Sequence, residues 1–174
     1  MSLSATSLQE VVDEVLAALG PRAGRVRVFL PPDLPRVVTD RQRLELIVAN
    51  LVDNALKFSP EGSACDVGTR LIGDEIELWV SDRGIGIKSE HQDLIFERFY
   101  QVDSSVTRRF GGVGLGLHLV HEMAQSLGGT VAVISAPGTG STFTVRLPLV
   151  PSVNGNGKAA VTSEETAAPV PAAG

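Results

Sequence analysis

The sequence predicts an α/β chain of the α+β type: a two-layer sandwich whose mixed, mainly antiparallel sheet carries its helices on one face. Three observations lead there. Apolar residues recur at helical spacing in three well-separated segments. Two neighbouring segments between them, Cys65 to Ile72 and Glu75 to Ser81, read as strands, and Ile76, Leu78 and Val80 alternate as one buried face requires. Gly73-Asp74 joins those two as a hairpin. Helices that bury one stripe and a sheet that buries one face pack as two layers.

The elements follow in chain order. Ser7 and Glu10 form a capping box that opens the helix SLQEVVDEVLAALG, and Gly20-Pro21 stops it. Val26 to Leu30 is a short strand ended by Pro31-Pro32. A long helix runs from about Asp40 to Phe58, with Leu44, Ile47, Val48, Leu51, Ala55 and Phe58 toward the core. Ser59-Pro60-Glu61-Gly62 is its stop. From Asp82 to Val113 periodicity is lost apart from a short helical stretch near Glu90 to Ile95, and such long irregular segments are commonly functional. A helix from about Gly114 to Ser126 is stopped by Gly128-Gly129, and strands Thr130 to Ser135 and Ser141 to Leu147 close the domain. Residues 150–174 shift to Ala, Pro, Gly, Ser and Thr and are expected to be a disordered tail.

At 174 residues the chain can hold one full domain. A net charge of −5 argues against general nucleic-acid binding, which needs a basic face. No apolar run has the length of a membrane span and no basic-then-apolar leader is present, so the expected compartment is the cytoplasm. Cys65 is alone and reads as a small buried hydrophobe within a strand.

Three motifs carry chemistry. Asn50, Asn54 and Lys57 fall on one line along the long helix, beside its apolar face. Two amides and an ammonium there suit an anion with a metal: magnesium takes oxygen ligands and keeps several waters, and lysine neutralises phosphate as a point charge. The competing reading of the stripe is a solvated helix face. In SDRGIGIKSE, Asp82 ends a strand and only accepts hydrogen bonds, so it can read an exocyclic amino group such as that of adenine. Gly84 and Gly86 would let the backbone approach a flat base. In RRFGGVGLGLHLV, Gly111, Gly112, Gly114 and Gly116 lead into a helix, whose first N–H groups attract phosphate. No Lys-Ser or Lys-Thr pair follows, so this is not a P-loop.

Together these motifs resemble the gyrase, Hsp90, histidine-kinase and MutL superfamily, the Bergerat ATP-binding fold. The likeness is nearest to the catalytic ATP-binding domain of sensor histidine kinases. NLVDNALKFSPEG resembles the Asn-rich box, SDRGIGI and GGVGLGLHLV the two glycine boxes, IFERFYQVD the phenylalanine box, and GTGSTFTVRLP the closing glycine box. The resemblance implies ATP and Mg2+ as cofactors. It makes Asn50, Asn54 and Lys57 the catalytic set, with Asn54 as the metal ligand, Lys57 on phosphate and Phe58 on the ribose side. Asp82 would bind the adenine amino group, with Thr142 as its partner behind it and Gly84, Ile85, Gly86 and Ile87 around the base. Residues 96–113 would form a lid, from which Phe99, Tyr100, Arg108 and Arg109 reach the nucleotide. Gly112, Val113, Gly114, Leu115, Gly116 and Leu117 would present backbone donors to the phosphates.

The same resemblance implies phosphoryl transfer to a histidine on a separate helical-hairpin dimerisation domain, and indirectly a response regulator as partner. Residues 1–20 would pack on the core and link to that domain, residues 21–149 would be the catalytic domain, and the chain alone would be monomeric. His121-Glu122 superficially matches an acceptor pair but lies in the wrong place, so a surface-helix histidine is expected. Gln101 stands where many such kinases have a basic residue, which turns attention to Arg108 and Arg109, and Val113 stands in place of a hydroxyl residue. Two rival readings are a stand-alone serine kinase of the anti-sigma type, against which Phe96 and Phe99 weigh, and a nucleotide-sensing interaction module without transfer activity.

Overall fold

A computed structural model describes residues 2–102 and 114–151. Its elements are β1 (Leu3–Thr6), α1 (Leu8–Leu19), β2 (Val26–Phe29), β3 (Val37–Asp40), α2 (Arg41–Phe58), β4 (Cys65–Ile72), β5 (Glu75–Ser81), α3 (Ser89–Gln92), α4 (Gly116–Ser126), β6 (Thr130–Ala136) and β7 (Gly140–Pro148). A five-stranded sheet has the order β2-β4-β5-β7-β6. The β2–β4 pair is parallel and the other three pairs are antiparallel, the mixed sheet expected from the hairpin signals.

Helix ends follow local chemistry. Ser7 caps α1 by accepting from the Glu10 N–H, but the reciprocal half of the capping box is absent, because the Glu10 carboxylate is held by Arg36 and Arg41. Asp40 caps α2 by accepting from the Arg43 N–H at 3.3 Å, and its other oxygen accepts from the Ser2 N–H at 2.9 Å. Those N–H groups, Ser2 first, hold the Asp40 carboxyl below its ordinary range. The last helix begins at Gly116 and not at Gly114, because Gly114 has φ +71, outside the right-handed helical region.

Two strands were not expected. β1 and β3 pair antiparallel, Leu3 opposite Asp40 through Thr6 opposite Val37. Each is four residues long, too short for an alternation to stand out, and each exists only through the other.

One core lies between the sheet and the helices. Leu8, Val11, Val12 and Val15 of α1, Leu44, Ile47, Val48 and Leu51 of α2, and Val120 and Ala124 of α4 are buried against Val67, Ile76, Leu78, Val80, Val145 and Leu147 of the sheet. Cys65 belongs to this core, and burial pushes its thiol up to about 11, as an inert packing residue should show. On the opposite sheet face Glu77 is 2% exposed, with its carboxylate clamped by Arg70 and Arg146. Among the described residues no helix is long and apolar enough to cross a membrane.

Asp40 thus ties the first residues of the chain to the start of α2. Asp40→Ala is expected to lower unfolding free energy by about 1 kcal/mol, the ordinary value of an N-cap. Because the folded carboxyl sits below the unfolded value of about 3.9, its contribution is present above about pH 4 and is lost as pH falls through the lowered folded value. Urea titrations of both proteins at neutral and acid pH measure this: the gap should narrow in acid.

Candidate functional site

The site is built where β5, α2, α4 and the β6–β7 turn converge. At the end of β5 the alternation that buries Ile76, Leu78 and Val80 carries Asp82 inward, where it is 8% exposed. Its Oδ1 accepts from the Gly84 N–H at 2.7 Å and the Ser141 N–H at 3.2 Å. No described residue hydrogen-bonds Oδ2. Burial raises the carboxyl above its ordinary pKa, against the pull of the two N–H groups. The arrangement is a fixed acceptor with one oxygen still able to take a donor.

The loop after Asp82 is stitched to both neighbours. The Ile85 N–H donates to the Phe58 carbonyl at 3.3 Å, and the Ile85 carbonyl accepts from the Gly138 N–H at 2.7 Å. The Ile87 N–H donates to Ser135 Oγ at 2.8 Å, and the Gln92 amide donates to the carbonyls of Ile87 and Ser135. A Cβ at Gly84 would lie 2.5 Å from the Phe58 carbonyl oxygen, and one at Gly86, which has φ +68, would collide with the Ala136 carbonyl. These glycines are therefore required by the packing of the protein's own backbone, whereas the sequence suggested room for a ligand.

Farther along α2, the amide stripe faces the start of α4. A Cβ at Gly116 would lie 3.0 Å from Asn50 Oδ1 and 3.7 Å from Asn54 Nδ2. Asn50 commits its Nδ2 to the Leu46 carbonyl at 2.7 Å, leaving its oxygen toward Gly116, while no described residue hydrogen-bonds the Asn54 amide. The α4 N-terminus has no side-chain cap, so its first N–H groups have no acceptor within the helix. Lys57 places its ammonium 5.1 Å from the Phe58 ring centroid.

Residues 39–151 match the histidine kinase-, DNA gyrase B- and HSP90-like ATPases. The chain belongs to that family. It is 48% identical over 123 residues to the sensor-like histidine kinase SenX3 of Mycobacterium tuberculosis (strain ATCC 25618 / H37Rv), covering 71% of this chain and 30% of the relative. The chain spans at most 40% of the length of the SenX3 proteins it matches. The mycobacterial sensor histidine kinase MprB superposes with a TM-score of 0.74 at 29% identity, over 87% of this chain and all of that one. Full-length ShkA in complex with AMPPNP gives a TM-score of 0.75 at 28% identity, over 85% of this chain and 31% of that one.

Within this ATPase-family domain the expected residues separate into groups. Asn50, Asn54 and Gly116 come together, and Asp82, Gly84, Ile85 and Gly86 form a second group, tied to the end of α2 and to the β6–β7 turn. Thr142 is corrected: its hydroxyl pairs with Ser81 Oγ at 2.9 Å on the other face of the sheet, and the residue that meets Asp82 is Ser141. The sequence held the signal, since Phe143, Val145 and Leu147 alternate inward and put Ser141, not Thr142, on their face. Phe58 is corrected as a core residue, being half-buried at the rim. Ile87, Tyr100 and Leu117 pack against the core with their side chains. Phe99 is 62% exposed with φ +63, and its N–H donates to the Gly114 carbonyl at 3.1 Å. The Tyr100 hydroxyl lies 2.6 Å from His91 Nδ1. Arg108, Arg109, Gly112 and Val113, and with them most of the expected lid, lie outside the described residues.

Asp82→Asn should keep the acceptor for both N–H groups while removing a buried charge. A carboxyl raised above its unfolded value supports the fold below that value and loses this support as pH rises through the raised one. The variant's thermal midpoint is therefore expected to equal or exceed wild type at pH 8, with any advantage shrinking toward acid pH.

Proposed function

We propose that this domain binds Mg-ATP and transfers the γ-phosphoryl group to a histidine on a separate helical-hairpin domain of a two-component sensor kinase. The observation that carries the reading is the combination of a buried carboxylate, one oxygen of which no described residue hydrogen-bonds, with an amide stripe facing a helix N-terminus that has no side-chain cap. The first suits the amino edge of adenine, and the second suits phosphate. The named sensor histidine kinases and the AMPPNP complex of ShkA support the same assignment.

Each residue then has a distinct part. Asp82 Oδ2 accepts from the adenine amino group. Asn54, with Asn50 beside it, offers an amide oxygen, and the N–H groups of Leu115, Gly116 and Leu117 meet phosphate oxygens. Lys57 swings from the Phe58 ring to add a positive charge, and Phe58 borders the ribose. No cluster of three or more His, Cys, Asp or Glu side chains exists among the described residues, so a metal has no all-protein cage here. The amide of Asn54, which no described residue hydrogen-bonds, fits magnesium, which accepts one or two protein oxygens and completes its shell with phosphate and water. Such a cation would neutralise charge on the phosphate oxygens. Transfer itself needs little from the protein beyond position and charge: the acceptor nitrogen bonds to the γ-phosphorus as the bond to the ADP oxygen breaks.

The chain's own histidines are occupied otherwise. His91 meets Tyr100, His118 meets the Phe96 carbonyl at 3.1 Å, and His121 lies between Gln125 and the Phe96 ring. These contacts support an acceptor on a separate hairpin domain linked through α1, with a response regulator taking the phosphoryl group onward.

Incubation with labelled ATP and a histidine-bearing hairpin domain should give acid-labile phosphate on the hairpin and none on His91, His118 or His121. Label on His121 would sink the reading. Asn54→Asp and Asp82→Asn should each weaken ATP binding about tenfold or more, since each alters a hydrogen bond to a charged or ligand group. Unchanged calorimetric affinity in both would refute the site assignment.

A further inference from the structure

We propose that Ser135 is a positioning residue for the purine base, acting through Ser141 and Asp82 without touching the nucleotide; this rests on the adenine role of Asp82 proposed above. Ser135 Oγ has three partners and a single proton. It accepts from the Ile87 N–H at 2.8 Å and lies 2.9 Å from both the Gly140 carbonyl and the Ser141 hydroxyl. A carbonyl can only accept, so we assign the Ser135 proton to Gly140 and the donor role in the serine pair to Ser141, the one arrangement that satisfies all three contacts.

The consequence falls on Ser141. Its proton is committed to Ser135, so its hydroxyl cannot donate to Asp82, although its own backbone N–H lies 3.2 Å from Asp82 Oδ1. Asp82 thus keeps its second oxygen as an uncontested acceptor. A 6-amino purine offers a donor to that oxygen, whereas a 6-oxo purine offers an acceptor at the same place. Without Ser135 Oγ the Ser141 hydroxyl is free to turn toward Asp82 and compete, and the Ile87 N–H loses its partner. Discrimination between amino and oxo bases should then fall.

Gln92 holds the same junction from outside. Its amide donates to the Ile87 carbonyl at 3.0 Å and to the Ser135 carbonyl at 2.8 Å, so α3 spans the glycine loop and β6. The preceding His91 reaches Tyr100, whose carbonyl lies against Gly114 just before the phosphate-facing helix. One helical turn therefore braces the base wall on one side and the entrance to α4 on the other.

The test measures calorimetric affinities of the full chain for ATP, inosine triphosphate and inorganic tripolyphosphate. Ser135→Ala is expected to reduce the ATP-over-inosine preference about tenfold, as loss of one well-placed hydrogen bond would, with tripolyphosphate affinity changed by less than about twofold. Ser135→Thr, which retains the hydroxyl and suits a strand, should restore the preference. If Ser135→Ala does not fold, Ser135→Cys, whose thiol accepts only weakly, decides the matter by the same ratio. A wild-type ratio in the folded Ser135→Ala protein overturns the proposal, as does equal loss of ATP and tripolyphosphate, which would mark general loosening. Absence of any ATP preference in the unsubstituted chain instead overturns the adenine role of Asp82, and this proposal with it.

Discussion

Burial of one carboxylate governs the architecture of the cleft. Asp82 stands at the point where β5 leaves the core, and a charge there is costly unless donors are brought to it. Those donors come from two separate elements, the turn at Gly84 and the first residues of β7 at Ser141. The need for both N–H groups at one oxygen sets how closely the glycine loop and the β6–β7 hairpin must approach. Gly140 lies so near the Asp82 carbonyl that a side chain there would collide, and a Cβ at Gly84 would also lie too close, 2.5 Å from the Phe58 carbonyl oxygen at the end of α2. The glycine pattern is thus a packing consequence of burying the acid, before any ligand enters.

The second governing feature is the divided face of α2. Its apolar side is driven into the core by Leu44, Ile47, Val48 and Leu51, and this burial orients the helix. The neighbouring line of Asn50 and Asn54 is thereby aimed at Gly116, where the absence of a side chain lets the amides approach the start of α4. Phe96 packs against α4, its ring tilted to that of His121 and edge-on to that of Phe143. Hydrophobic burial therefore positions polar groups that contribute little to stability themselves.

Most elements were legible from periodicity and caps because those signals are local. The bounds of β4 and β5, the Ser7 and Asp40 ends of the helices and the Gly73 turn depend on residues within a few positions of one another. The β1–β3 pair was not legible, since its partners lie more than thirty positions apart and neither strand carries a pattern of its own. Thr142 was assigned to Asp82 by motif position, although strand alternation already pointed to Ser141. Gln92 and Ser135 carry no motif at all; only the folded loop brings the two side chains to Ile87.

By itself the sequence determined the class of fold, the order of its layers, and the chemical character of the two walls: amides and a lysine on one, a carboxylate among glycines on the other. These follow from residue type and spacing, which act along the chain. Only the tertiary structure decided that, among the described residues, one Asp82 oxygen is engaged and the other is not, that Asn50 is tied to Leu46 while the Asn54 amide has no hydrogen-bond partner, and that a serine pair stands behind the acid. Those properties depend on which distant donors and acceptors meet in space, and hydrogen bonds of that kind are set by distance and angle after packing.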